Sequence, residues 1–328
     1  LISLVAVAHR FLLRWDVLIA ILVLVVLLIP IKRYEFGVLL PFDLEPYRIY
    51  LALLIGLWLA ALLVDPRVSM RSSLLDAPLA FIYMAVVGSV VVNPDNITRL
   101  DVIRSFVGTK AADVIRDATR IPYADVSATV AKALLFLSSV FLTYYLIVSL
   151  VRTPQAILRV VRVLVLGSAG VAVSAIVERR TGYNLFDHLQ GVVPLLSFEG
   201  GLEEAGIARG DRLRVYASAQ HPIALAALFV MVLPLSVYLA RRSKQALWIA
   251  TSAALALGAL ATVSRTSVTM LAAVGVVFLV LRRAALKRVA LLALPVLIVV
   301  HLALPGTIGS LRQAFFPSEG LVTDQSEF

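Results

Sequence analysis

The composition of this 328-residue chain excludes a soluble globular protein. Hydrophobic residues make up 61% of the chain and charged residues 15%, whereas soluble domains are roughly 45–50% apolar and about 25% charged. The sequence contains no cysteine, which also excludes disulfides, zinc–thiolate sites and a cysteine nucleophile.

Nine apolar segments follow one another along the chain, and each is predicted to be a membrane-crossing helix. Lipid leaves only helices and closed barrels as spanning structures, and these runs lack the alternation of barrel strands. The segments are 15–31, 48–64, 74–92, 126–151, 158–177, 219–240, 246–263, 266–281 and 289–304. The predicted fold is an all-α polytopic membrane protein, in which 1–328 forms one transmembrane domain of a longer chain.

The distribution of charge predicts a cytoplasmic N-terminus. With this orientation, the inner ends and inner connections carry 14 basic and three acidic residues, a balance of +11. The remaining 16 basic and 17 acidic residues give −1. The preference of Lys and Arg for the cytoplasmic side thus accounts for the net charge of +10. We therefore expect a multi-pass membrane protein, with membrane lipids and no nucleic acid as partners.

Four segments are predicted to lie on the outer face: 32–47, 93–125, 178–218 and 305–328. Segment 93–125 mixes charges with apolar residues at helical spacing, which is typical of an interfacial helix. Segment 178–218 is the most polar stretch of the chain, and 305–328 is predicted to begin a larger outer loop.

One polar run leads from the 178–218 loop into the sixth segment, and it reads Arg214-Val215-Tyr216-Ala217-Ser218-Ala219-Gln220-His221-Pro222. Proline suits the first turn of a helix, and a helix N-terminus attracts anions such as phosphate. The run therefore predicts a phosphate site. The alternative is a capped helix start with Arg214 solvated.

A second polar run, Ser264-Arg265-Thr266-Ser267, lies between two apolar segments on the same predicted face. An arginine there needs a partner or water, and its planar fork matches phosphate oxygens. Arg214 and Arg265 could together bind one pyrophosphate, or Arg265 could extend to lipid headgroups. Lys132, near the outer end of the fourth segment, has the same two interpretations.

The sequence contains no Walker A loop, dinucleotide-binding glycine pattern, HExxH or GxSxG motif. Its outer acids form no Asp-x-Asp pair, so we expect neither a metal nor a cofactor. Any chemistry must then use a substrate that is already activated, such as a lipid-linked phosphate or pyrophosphate.

The order of Arg214, His221-Pro222 and Ser264-Arg265-Thr266 around the helices resembles the O-antigen ligase and O-antigen polymerase superfamily. Two further stretches support the resemblance, which covers roughly residues 150–328. They are Glu178-Arg179-Arg180-Thr181-Gly182-Tyr183-Asn184-Leu185 and Phe315-Phe316-Pro317.

The resemblance implies a metal-independent, inverting membrane glycosyltransferase of the GT-C type. Its donor is a glycan on undecaprenyl or longer polyprenyl pyrophosphate, and its acceptor is a sugar hydroxyl on a glycolipid or growing polymer. The family places a histidine candidate for the general base in an outer loop after the ninth segment. We therefore expect the base beyond Phe328, with His221 as the substitute.

The candidate residues fall into two groups, catalytic and substrate-binding. The catalytic candidates are Arg214, Arg265 and His221. The substrate-binding candidates are Arg212, Tyr216, Ser218, Gln220, Ser264, Thr266 and Lys132.

Two other functions are alternatives to glycan transfer. A transporter or flippase for a lipid-linked substrate needs charged or broken helices near the bilayer midplane. The interiors of these segments are almost free of charge, which favours an enzyme. The other alternative is a non-catalytic scaffold for cell-envelope assembly.

Overall fold

The protein is mostly helical. Its computed structural model describes residues 14–31, 33–36, 45–65, 68–92, 126–198, 208–209, 212–243 and 245–281, and the single residues 302 and 309. The helices are α1 (Trp15–Leu28), α2 (Pro46–Val64), α3 (Asp76–Val92), α4 (Val126–Leu150), α5 (Pro154–Thr181), α6 (Pro222–Ser243), α7 (Ala246–Ala261) and α8 (Arg265–Leu281). The short strands are β1 (Tyr34–Phe36), β2 (Leu196–Phe198), β3 (Ala208–Arg209) and β4 (Arg212–Leu213).

Eight of the nine predicted segments coincide with these helices, which confirms the largely helical class. Three described helices are long and apolar enough to cross a membrane, namely α2, α5 and α6, and the other five have shorter apolar stretches. Segment 289–304 lies outside the described residues except for Leu302. The same holds for 93–125, and for 305–328 apart from Gly309. The count of nine spans and the GT-C arrangement therefore stay predictions.

Two antiparallel strand pairs depart from the all-α prediction. Strand β1 pairs with β2, with Tyr34 opposite Phe198 and Phe36 opposite Leu196, and β3 pairs with β4. The ring of Tyr34 is fully buried and lies 5.2 Å from that of Phe198. Strands of two or three residues are too short to show a period of two in the sequence. The β1–β2 pair joins segments 32–47 and 178–218, which were predicted to share one face.

The chain divides into two compact units. The first contains Leu1–Ile19, Leu39–Leu44 and Arg48–Ile157, and the second contains Ala20–Val38, Glu45–Tyr47 and Leu158–Phe328.

The first unit includes the packing of α3 against α4. Tyr83 meets Phe141 edge to face with ring centres 5.0 Å apart, and its hydroxyl lies 3.1 Å from that of Ser138. Phe81 and Met84 on α3 expose most of their surface, as expected of an apolar helix that contacts lipid.

The second unit is built around α5, α6, α7 and α8. The buried side chains of Leu225, Phe229 and Leu255 form part of its core. The hydroxyl of Ser236 on α6 lies 2.8 Å from that of Thr251 on α7 and donates to the carbonyl of Trp248 at 3.2 Å. Such bonds satisfy polar groups between membrane helices without water.

Candidate functional site

The N-termini of α6 and α8 lie at the same end of the second unit. The three helices pack against one another, and residues 262–264 separate α7 from α8. Arg241, near the end of α6, lies 4.8 Å from the ring centre of Phe278, near the end of α8. Helices α6 and α8 therefore run in the same direction. Each N-terminus carries partial positive charge. Arg265 is the first residue of α8, and Arg214 lies in the loop before α6.

A left-handed residue precedes each of these two helix starts. Ala217 has a φ of 42° and Val263 a φ of 49°, and they are the two non-glycine residues with positive φ among those described. Both are buried. This conformation is unusual for a β-branched valine and costs on the order of 1–3 kcal/mol. Such strain is concentrated at functional sites, where the surrounding structure enforces it.

Hydrogen bonds from distant parts of the chain hold Ala217 in this conformation. Its N–H donates to Glu178 Oε2 at 2.9 Å. Its carbonyl accepts from Asn184 Nδ2 at 3.2 Å and also from Arg33 Nη2. Glu178 and Asn184 are both buried, and both belong to the stretch 178–185 that supported the family resemblance. The structure thus brings that stretch into direct contact with the 214–221 loop.

Arg33 and Asp187 form a mostly buried ion pair beside this turn. The distance from Nη1 of Arg33 to Oδ1 of Asp187 is 2.6 Å, and their side chains are 3% and 20% exposed. Arg33 also donates to the carbonyl of Ala219 at 3.3 Å and lies 5.0 Å from the ring centre of Tyr216. Burial lowers the pKa of Arg33 and the charge of Asp187 opposes this shift, so the guanidinium stays protonated.

Tyr216 completes a group of five residues, Arg33, Glu178, Asn184, Asp187 and Tyr216, which we call the Arg33 cluster. The hydroxyl of Tyr216 donates to Asp187 Oδ2 at 2.8 Å. Burial, followed by this hydrogen bond to the carboxylate, raises the pKa of Tyr216 to about 12. Tyr216 is a predicted substrate contact, and in this structure its hydroxyl donates to Asp187 and helps to fix the loop before α6.

The turn before α8 is held by its own hydroxyl groups. Thr262 and Ser267 both donate to the carbonyl of Ala259, at 2.8 and 2.6 Å, and all three residues are buried. Ser264 is buried as well, at 2% exposure, whereas Thr266 is exposed. Of the two predicted substrate contacts in this run, only Thr266 is exposed and therefore accessible to a substrate.

His221 caps the start of α6. Its Nδ1 accepts a hydrogen bond from the backbone N–H of Ile223 at 3.1 Å, so the neutral ring carries its proton on Nε2. Burial, and after it the positive charge of Arg214, lowers the pKa of His221. The histidine therefore orients the helix start and offers an N–H donor rather than a free basic nitrogen.

The structure defines the surroundings of the remaining candidates less completely. Ser218 is buried and Gln220 is partly exposed, and both lie in the loop before α6. The backbone of Lys132 belongs to α4 in the first unit. The side chains of Lys132 and Arg212 lie outside the part of the chain that the structure describes.

The described ranges contain no group of three histidine or acidic residues that could hold a metal ion, and metal independence stays a prediction. Asp187 is an acid in the predicted outer loop, but its carboxylate already accepts from Arg33 and Tyr216.

Sequence reasoning missed Arg33 and Asp187 as a pair. Neither residue stands out in the sequence, because each is one of many charged residues in the segments that are predicted to lie outside. No family model, curated protein or solved structure matches this chain. The family resemblance therefore depends on the quoted motifs alone.

Proposed function

We propose that this protein is a glycosyltransferase that moves a glycan from a polyprenyl-pyrophosphate donor to a sugar hydroxyl on a glycolipid or growing polymer. The transfer takes place at the membrane face where α6 and α8 begin. The charge pattern predicts that this is the outer face of the inner membrane. One observation carries the proposal: two helices of one bundle start at the same end, each with an arginine at or just before its start and each preceded by a buried left-handed turn.

The chemistry follows from where charge develops. The bond between the anomeric carbon and the phosphate oxygen breaks, and its electron pair leaves with the pyrophosphate. The acceptor oxygen forms the new bond on the opposite side of the ring, which inverts the anomeric centre, and its proton passes to a base. Arg214, Arg265 and the Nε2–H of His221 stabilise the negative charge on the leaving group. The strained turns hold these donors in place before the reaction, so little reorganisation is needed.

Alanine substitution of either arginine tests the proposal. Loss of one preorganised donor lowers the rate by roughly 10²–10³-fold, and lysine should rescue poorly because an ammonium cannot bind two phosphate oxygens side by side. Transfer of labelled glycan is measured in proteoliposomes that contain the undecaprenyl-pyrophosphate donor and an acceptor. Arg242→Ala, an exposed arginine at the opposite end of α6, is the matched control and should keep full activity.

Three results would contradict the proposal. Near-normal transfer by Arg265→Ala would exclude the paired role of the arginines. Transfer that EDTA abolishes and Mg²⁺ or Mn²⁺ restores would indicate a metal-dependent enzyme, and attention would move to Asp187, Glu199 and Asp211. Movement of labelled donor across the bilayer without any transfer would indicate a flippase.

A further inference from the structure

A groove of about 590 Å³ lies between α3 and α4 in the first unit. Its walls are mainly apolar and include Leu79, Ala80, Met84, Phe141 and Leu142. The hydroxyls of Tyr83 and Ser138, which also line it, are hydrogen-bonded to each other at 3.1 Å. The groove therefore offers a lipid chain an apolar surface in which these two hydroxyls already satisfy each other.

One end of the groove is polar without being strongly charged. The hydroxyl of Tyr144 donates to Ser73 Oγ at 2.8 Å and lies 3.4 Å from Asp76 Oδ1. The second carboxylate oxygen of Asp76 accepts from the N–H of Ser73 at 2.6 Å. Asp76 is also the first residue of α3, where the helix N-terminus compensates its charge. Hydroxyl and amide groups at this level suit the ester region of a glycerolipid.

Two arginines lie beyond this polar end. Arg152 follows α4 and donates to the carbonyl of Ser69 at 2.8 Å, so the 69–73 segment runs beside the last turns of α4. Arg71 lies within that segment and is exposed. The Nε of Arg152 also donates to the carbonyl of Ser149 at 2.6 Å, which lies five residues, or about 7.5 Å of helix rise, after Tyr144. The positive charge is thus displaced from the polar end of the groove by about the thickness of the headgroup region of one leaflet, which is roughly 5–7 Å.

We propose that this groove binds one anionic phospholipid, with an acyl chain between α3 and α4 and its phosphate near Arg71 and Arg152. The order of the surface, apolar, then polar, then cationic, matches the order of groups along such a lipid. A zwitterionic lipid gains less from the two arginines, and free phosphate makes no use of the apolar walls. Both arginines lie in segments predicted to be cytoplasmic, which points to a lipid of the inner leaflet. The inference does not depend on the proposed transferase activity.

Native mass spectrometry of the full chain, delipidated in detergent and titrated with defined lipids, tests this site. One molecule of phosphatidylglycerol should bind to each protein chain, with an affinity several-fold higher than that of phosphatidylcholine with the same acyl chains. Ala80→Trp fills the groove and should abolish this binding, as should Leu142→Trp from the facing helix. Arg71→Ala should weaken it about 5-fold, the effect expected of one arginine near a lipid phosphate.

Matched controls come from the same chain. Ala85→Trp lies on α3 outside the groove and Arg242→Ala is an exposed arginine in the other unit, and both should bind as the unaltered protein does. Size-exclusion profiles identify variants that are misfolded. If only one of Ala80→Trp and Leu142→Trp folds, that variant alone tests the proposal. Equal binding by Ala80→Trp, Leu142→Trp and Ala85→Trp would overturn the proposal, as would equal affinity for the two lipids. Tighter binding of a polyprenyl phosphate than of phosphatidylglycerol would also overturn the proposal and would make the polyprenyl phosphate the occupant of the groove.

Discussion

Arg33 connects three parts of the second unit through one side chain. Its guanidinium contacts Asp187, the carbonyls of Ala217 and Ala219, and the ring of Tyr216. A buried ion pair is often no more stabilising than an apolar pair of the same size. Here the cluster has a more specific effect, because it holds a backbone turn that alanine would otherwise rarely adopt.

Loss of Arg33 should destabilise the protein. Arg33→Ala leaves Asp187 partly buried without its cation, which costs on the order of 3 kcal/mol. The expected result is a lower Tm in detergent micelles. Tyr216→Phe removes only the hydroxyl that donates to Asp187 and should cost about 1–2 kcal/mol. Arg242→Ala serves as the control, and a Tm for Arg33→Ala equal to that of Arg242→Ala would show that the cluster does not stabilise the fold.

His221 should make stability depend on pH in a defined direction. Its pKa is lowered in the folded state, so below the usual imidazole pKa of about 6.5 the unfolded chain binds a proton that the native state does not. The stabilisation is present above that pH and is lost as pH falls. Thermal unfolding at pH 7.5 and 5.5 is compared with His221→Asn, which can cap the helix but does not titrate. An equal loss of Tm in both proteins would contradict this linkage.

Helix positions followed closely from hydropathy because lipid-facing and buried surfaces are both apolar. Segment 266–281 was predicted and α8 begins at Arg265. Segment 219–240 was predicted and α6 begins at Pro222, because a proline in the first turn lacks only an N–H that has no helical partner there. The sequence contained no comparable signal for β1 and β2, whose pairing depends on contacts between residues far apart in the chain.

The candidate site was predictable only in part for the same reason. Arg214 and Arg265 stood out because each is a charge beside an apolar segment. The pairing of Arg33 with Asp187 spans 154 positions, and no local pattern specifies which distant acid meets a given arginine. The left-handed turns at Ala217 and Val263 were also hidden, since neither position holds the glycine that usually marks such a turn.

The contact of α7 with α5 and α6 depends on a glycine. A Cβ added at Gly258 would lie 2.7 Å from Cβ of Ala172 and 3.1 Å from the ring of Phe229. Gly258→Ala should therefore force the helices apart and destabilise the protein by about 1–3 kcal/mol. Gly275→Ala on α8 is the matched control, because nothing lies within 4 Å of its added Cβ. Equal Tm values for the two variants would show that this contact is not tight.

Contacts within each unit agree with the predicted sidedness of the loops. In the second unit, β1 and β2 join two segments predicted to be outside. In the first unit, Arg152 and Ser69 join two connections predicted to be inside. Each contact joins two segments that the charge distribution predicts to lie on the same side of the membrane, and the side itself stays a prediction.

Single-cysteine labelling can establish which side is which, because the chain contains no cysteine of its own. Gln190→Cys lies in the predicted outer loop and Ser243→Cys at the end of α6, and both positions are exposed. An impermeant maleimide added to intact cells should label Gln190→Cys and spare Ser243→Cys until the membrane is permeabilised. Labelling of Ser243→Cys in intact cells would reverse the topology, and with it the side of the proposed transfer.

The β1–β2 pair and the Arg33 cluster also impose an order of biogenesis. Arg33 and Tyr34 are synthesised 154 or more residues before their partners Asp187, Ala217 and Phe198. At about 5–20 residues per second, a ribosome needs roughly 8–30 s to add 154 residues. During this time the guanidinium and the strand edge must stay in water or with another partner, because their partners in this chain have not yet been synthesised. The 214–221 loop can acquire its strained turn only when this late docking is complete, so the proposed site is among the last parts of the second unit to form.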